Sequence, residues 1–301
     1  MGENKLTLSI KKPQTLDTVK LALLQHAYQG TPESTLDFLE NQIRVAASQG
    51  AQMIGLQELC YLPYFCRTME QKHFALAQKI SSPLQERFSK LAGSLGVVLM
   101  FPFFEERMPG LTYNSCMVFD ADGALLGIYR KQHIPNDPGF YEKYYFTPGD
   151  TGYPVFQTRY GRIAVLICWD QWFPEASRIV SLLDAQLIFY PTAIGTLKGE
   201  ESQEKKFKDA WRTVQRAAAI SNGVFVASVN RVGVEGELDF WGHSFVSDPL
   251  GEILVEESGR KEKILTVNLD FKKIEETRRS WPFFRDRRID TYQDLLRQAI
   301  V

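Results

Sequence analysis

The chain is short of several things, and each shortage excludes a class of protein. It has only four cysteines, Cys60, Cys66, Cys116 and Cys168, in 301 residues. That is too few for a disulfide framework, and none has the CxxC spacing with histidines that suits zinc. Lysine plus arginine (35) nearly balance aspartate plus glutamate (36), leaving a net charge of -1. Without a basic excess, neither nucleic acid nor an anionic membrane surface is expected as the main partner, and a small molecule is. No apolar run is long enough to span a bilayer, and the start, Met1-Gly-Glu-Asn-Lys-Leu6, has no signal-peptide core and no Ser or Thr where a myristoylation motif needs one. The expected compartment is the reducing cytoplasm. Histidines number only four, His26, His73, His133 and His243, and none stands in a cysteine-protease signature.

What is present is a chain rich enough in apolar residues, 44%, to bury a full core. Apolar runs predict strands at 19–24 and 53–57 around a helix over 35–49, an opening βαβ unit. A helix over 82–95 and a strand at 97–101 follow. Strands at 113–119 and 125–129 are joined by Asp120-Ala-Asp-Gly123, a hairpin turn signal. A strand at 163–168, helices over 175–183 and 207–220, and strands at 187–190, 224–229, 244–246, 252–256 and 263–269 complete an α/β pattern. No linker or solenoid-period repeat divides it. Residues 1–16 read as an N-terminal arm and 17–301 as one domain, whose C-terminal tail from about 271 suits packing on another surface.

Cys168 ends the run Ile163-Ala-Val-Leu-Ile-Cys168, just before Trp169-Asp-Gln-Trp-Phe-Pro-Glu175. In open α/β sheets the carboxyl ends of strands are where ligands bind, and a following turn offers free backbone N–H groups. A lone cysteine on an apolar strand is more often structural, and a nucleophile would need a base, because a thiol is mostly protonated at neutral pH. Glu58 stands at another strand end, after Met53-Ile-Gly-Leu-Gln57, and parallel neighbours would bring it to Cys168. Lys131 follows Leu125-Leu-Gly-Ile-Tyr-Arg130, where a fixed ammonium could stabilise an oxyanion. Alone, each also reads as a solvated surface charge.

Together, and in that chain order, Glu58, Lys131 and Cys168 resemble the nitrilase, or carbon-nitrogen hydrolase, superfamily. The words Leu56-Gln-Glu-Leu59, Tyr129-Arg-Lys-Gln-His-Ile-Pro135, Cys168-Trp-Asp-Gln-Trp-Phe-Pro-Glu175 and Gly139-Phe-Tyr-Glu-Lys-Tyr-Tyr-Phe-Thr-Pro-Gly-Asp150 carry the resemblance. It implies a four-layer αββα sandwich, a homodimer or larger homo-oligomer, and hydrolysis without a metal or organic cofactor. By the same resemblance Glu58 is the base, Cys168 the nucleophile, and Lys131 with the Trp169 backbone N–H the oxyanion holder. Glu142 matches a second family glutamate beside them.

Within the superfamily the resemblance is strongest to members that cleave the ureido group of a carbamoylated amine. Relatives acting on carbamoyl amino acids place an arginine just after the cysteine, where this chain has Asp170, Gln171 and Trp172. Asp137, Glu142 and Asp170 are candidate partners for a substrate ammonium, with Asp170 also readable as a helix cap. Tyr64, Tyr61, Phe65, Phe140, Tyr141, Tyr144, Trp169 and Trp172 are candidate walls. The segments Cys60-Tyr-Leu-Pro63 and 195–206 depart from the pattern and are expected to border the substrate tunnel. An ω-amidase or other aliphatic amidase with the same three residues, a Cys/His hydrolase using His133, and a non-enzymatic scaffold remain as alternatives.

Overall fold

The computed structural model describes residues 17–300, so the expected arm over 1–16 lies outside the described residues. The first half runs β1 (Thr18–Gln25), α1 (Pro32–Ser48), β2 (Met53–Leu56), α2 (Pro83–Leu95), β3 (Val98–Met108), β4 (Leu111–Phe119) and β5 (Leu125–Arg130). The second runs β6 (Val155–Thr158), β7 (Gly161–Val165), α3 (Pro174–Leu182), β8 (Leu187–Thr192), β9 (Gly195–Leu197), α4 (Glu204–Asn222) and β10 (Phe225–Asn230). Five short strands and a helix close it: β11 (Val232–Glu235), β12 (Leu238–Trp241), β13 (Phe245–Ser247), β14 (Ile253–Glu256), β15 (Lys263–Asp270) and α5 (Lys272–Ser280). Three of the helices begin with proline at the first turn, where its missing N–H costs nothing, and each starts within three residues of the predicted position. Thr31 caps α1 through a reciprocal pair with Ser34.

Two six-stranded sheets form, in the orders β15-β1-β2-β3-β4-β5 and β6-β7-β8-β10-β13-β14. Read in these directions, each pairs antiparallel, parallel, parallel, antiparallel, antiparallel. The chain has no visible sequence repeat, yet its topology repeats. Alternate residues of β1 serve different layers. Leu21 and Leu23 join an apolar cluster with β7, β8 and β10, while Ala22 and Leu24 join one with α1 and α2. The order is therefore helices, sheet, sheet, helices, the expected four-layer αββα sandwich.

Glu58 and Cys168 thus do not follow neighbouring strands. β2 and β7 belong to different sheets, and the segments that follow them approach each other across the sandwich. The sheets approach closely there, since a Cβ placed on Gly55 of β2 would stand 2.4 Å from the Phe189 ring of β8. A third sheet, β11-β12-β9, lies beside the second and was not predicted, its strands being three or four residues long. After α5 the chain continues with much exposed apolar surface, including Trp281, Ile289 and Leu296.

Candidate active site

Three strand ends supply the site. β2 stops at Leu56 and the chain turns sharply at Leu59, whose φ of 49° is left-handed and unusual for a branched residue. Glu58 is fully buried beside this turn. β5 stops at Arg130, and Lys131, also fully buried, is fixed at both main-chain groups: its N–H donates to Asn114 O at 2.9 Å and its carbonyl accepts from Gly149 N at 2.8 Å. β7 stops at Val165, earlier than the predicted strand, and Cys168 opens a 3-10 turn, Cys168–Trp172, with φ 43°. Strain of this kind persists only where the surroundings hold it.

The side chains converge. Lys131 Nζ donates to Glu58 Oε1 at 2.7 Å and to Glu142 Oε2 at 2.6 Å. Asn114 Nδ2 donates to the same Glu58 Oε1 at 2.7 Å, and the Tyr64 hydroxyl donates to Glu142 Oε1 at 2.9 Å. One Glu58 oxygen thus holds two donors, while Oε2, buried, has no hydrogen-bond partner among the described residues. An ammonium has three N–H groups, and the two glutamates take two of them. Burial alone would push the Lys131 ammonium down, but Glu142 and Glu58 together hold it well above the ordinary lysine range. Burial lifts the Glu142 carboxyl to about 7 against the opposing pull of Lys131. The Cys168 thiol is driven well above its usual range by burial and then by Glu58, with Lys131 opposing. It is therefore a protonated thiol at neutral pH, which attacks only if a neighbouring base removes its proton.

Cys168 and Glu142 line a cavity of about 310 Å³, with Phe140, Trp169, Trp172, Phe207 and Trp241 as aromatic walls. Asp137 and Glu200 stand exposed on its lining and form no ion pair among the described residues. No lysine or arginine is among the described residues that line it. The Trp169 N–H, at the start of the turn, meets no backbone acceptor among the described residues. No cluster of His, Cys, Asp and Glu suited to a metal occurs among the described residues.

Other candidates fall elsewhere. Asp170 is buried and does not line the cavity. Its Oδ2 accepts from the Tyr129 hydroxyl at 2.7 Å and Ile167 N at 2.9 Å, its Oδ1 from His133 N at 2.9 Å, and His133 Nδ1 lies 2.7 Å from Oδ1. It ties the Cys168 turn to the segment after Lys131 rather than facing a ligand. His133 is occupied by Asp170 and stacks on Phe173 at 3.7 Å between ring centres. Tyr61 and Phe65 pack in the core against Phe101 and Phe104. In the Cys60–Pro63 segment Cys60, Tyr61 and Leu62 are buried and none of the four lines the cavity, whereas the segment from Gly195 to Glu200 does border it, as expected. The sequence reading missed Asn114, an inward residue of β4 with no motif around it. It also missed Glu200, Phe207 and Trp241, which stand on a loop, on the first turn of α4 and on an unpredicted sheet, where a charge or aromatic count could not single them out.

The family described as carbon-nitrogen hydrolase matches residues 20–279. An N-carbamoylputrescine amidase from Solanum lycopersicum is 42% identical, over 92% of this chain and 95% of its own. A citrullinase from Francisella tularensis is 38% identical, over 93% of this chain and 99% of its own. The crystal structure of a carbon-nitrogen hydrolase from Helicobacter pylori superposes with a TM-score of 0.91 at 43% identity, covering 94% of this chain and all of that one.

Proposed function

Because this chain belongs to the carbon-nitrogen hydrolase family, we propose that it hydrolyses N-carbamoylputrescine to putrescine, carbon dioxide and ammonia, a step of polyamine biosynthesis. The observation that carries this reading is the cavity itself: its charged lining groups, Asp137, Glu142 and Glu200, are all acids, and a thiol stands among them. Such a lining suits a neutral ureido head on an alkylammonium tail. The relative at 42% identity bears the same activity in its name.

Glu58 Oε2, the oxygen without a partner, takes the Cys168 proton as sulfur attacks the ureido carbon. The oxyanion forms against the third Lys131 N–H and the Trp169 amide, where one donor contributes about 3 kcal/mol. The Glu58 carboxyl returns the proton to the departing nitrogen, and ammonia leaves a carbamoyl group on sulfur. Glu58 then removes a proton from water, whose oxygen attacks the same carbon, and the thiol is regenerated. The released carbamic acid loses carbon dioxide to give the amine. Glu142 holds Lys131 from the other side. We read the chain as a cytoplasmic homo-oligomer, with its exposed apolar tail as the contact between copies.

Citrulline carries the same ureido group but adds a carboxylate, for which the lining supplies no cation; an ω-amide is the other rival. Ammonia release should therefore favour N-carbamoylputrescine over citrulline, N-carbamoyl-β-alanine and a simple ω-amide by at least about fivefold in kcat/KM, the worth of one exposed charge contact of about 1 kcal/mol. A preference for any of the others overturns the substrate. Mass analysis during turnover should find the adduct on Cys168, and its absence there would favour a non-catalytic scaffold.

A further inference from the structure

Around the four buried ionisable groups lies an outer layer that the chemistry above does not use. Arg231, between β10 and β11, is fully buried. Its Nη2 donates to Leu62 O and, at 3.4 Å, to Leu59 O, and its Nη1 stands 3.2 Å from Glu235 Oε1. The other oxygen of Glu235, Oε2, accepts the Tyr64 N–H at 2.7 Å. Arg231 and Glu235 therefore grip both ends of segment 59–64. Its first residue follows Glu58 directly, and its last sends a hydroxyl to Glu142. The contacts close into a ring: Glu58, Lys131, Glu142, Tyr64, Glu235, Arg231, Leu59 and back to Glu58.

We infer that Arg231 and Glu235 are positioning residues for the hydrolytic reaction, which hold segment 59–64 from outside so that Glu58 and Glu142 meet Lys131 at hydrogen-bonding distance. This rests on the roles proposed for those two glutamates. Segment 59–64 forms no strand that a sheet could fix, and it begins with the left-handed Leu59, a conformation that needs outside support. Stability alone does not account for the pair, because apolar residues of similar volume usually serve as well as a buried ion pair. Nor is the contact well aligned: Arg231 Nε and Nη1 and Glu235 Oε1 have no hydrogen-bond partner among the described residues. What the pair does fix is main chain, at Leu59, Leu62 and Tyr64.

A double-mutant cycle tests this. Glu235→Gln, Tyr64→Phe and the double variant are compared with wild type for kcat and KM across pH, using whichever ureido or amide substrate wild type turns over fastest. The wild-type preference judges the proposed substrate, and the cycle judges the brace. Each single change should lower kcat by roughly 10- to 100-fold, the usual cost of losing a supporting contact, with KM moved less than about threefold. If Glu235 acts through Tyr64, the double variant should lose little more than the worse single one.

The acid limb of the kcat profile should also move to higher pH in all three. The Tyr64 hydroxyl helps keep Glu142 ionised, against burial and the Glu58 carboxylate; Lys131 also faces it and is left in place, as are the Cys66 and Cys168 thiols. Losses that multiply in the double variant, or an unmoved acid limb, overturn the inference. Should Glu235→Gln fail to fold by circular dichroism, Arg231→Lys and Arg231→Met enter the cycle instead. Lys should then retain more kcat than Met, and equal loss counts against the brace.

Discussion

The floor and the mouth of the cavity are built on opposite terms. At and behind the floor, Glu142, Lys131 and Glu58 are sealed from water, and their hydrogen bonds run from 2.6 to 2.9 Å. At the mouth, Asp137 and Glu200 are exposed and form no ion pair among the described residues. In the low dielectric of the floor, charges act strongly and need no reorganisation during reaction. At the mouth they are screened, and each contributes a fraction of a kcal/mol up to about 1. Under the proposed function, rate falls to the sealed groups and choice of substrate to groups that a loop change can alter.

Three measurements sharpen or break that contrast. The largest effect belongs to the floor: Glu58→Gln keeps the shape but removes the proposed base, and kcat for ammonia release should fall by about 10² to 10⁴ with KM nearly unchanged. If the loss appeared in KM instead, the floor would be a binding site. Next comes the mouth, where Asp137→Asn combined with Glu200→Gln should raise KM for a cationic substrate about three- to tenfold and leave kcat alone. The same KM should rise with ionic strength in the wild type and much less in the variant. Smallest is His133→Ala, which removes one donor from Asp170 and should lower kcat less than about fivefold, since Asp170 keeps three others. A loss as large as that of Glu58→Gln would make His133 a base after all.

The contrast also decides what could be read in the sequence. The existence of most strands, the Asp120–Gly123 turn and most helices were legible because they follow from local periodicity and turn chemistry. Glu58, Lys131 and Cys168 could be singled out as candidates because each ends an apolar run, and Glu142 because its segment carries a family word. That Glu58 and Cys168 lie on different sheets was not legible, since strand order depends on pairings remote in sequence. Asn114 was hidden for a related reason: it is an ordinary polar residue of a strand until β5 brings Lys131 beside it. Arg231 and Glu235 were hidden because what they hold is main chain 169 or more residues away. Asp170 was read as a possible ligand group or a helix cap, and neither reading could see the Tyr129 and His133 donors that occupy it.

Gly55 gains a meaning from this arrangement. It lies three residues before Glu58, and Phe189, which it faces, pairs in register with Val165, three residues before Cys168. The separation between Glu58 and Cys168 is therefore gauged upstream, by the thickness of one aromatic ring against a bare backbone. A missing methyl acts as the caliper of the active site.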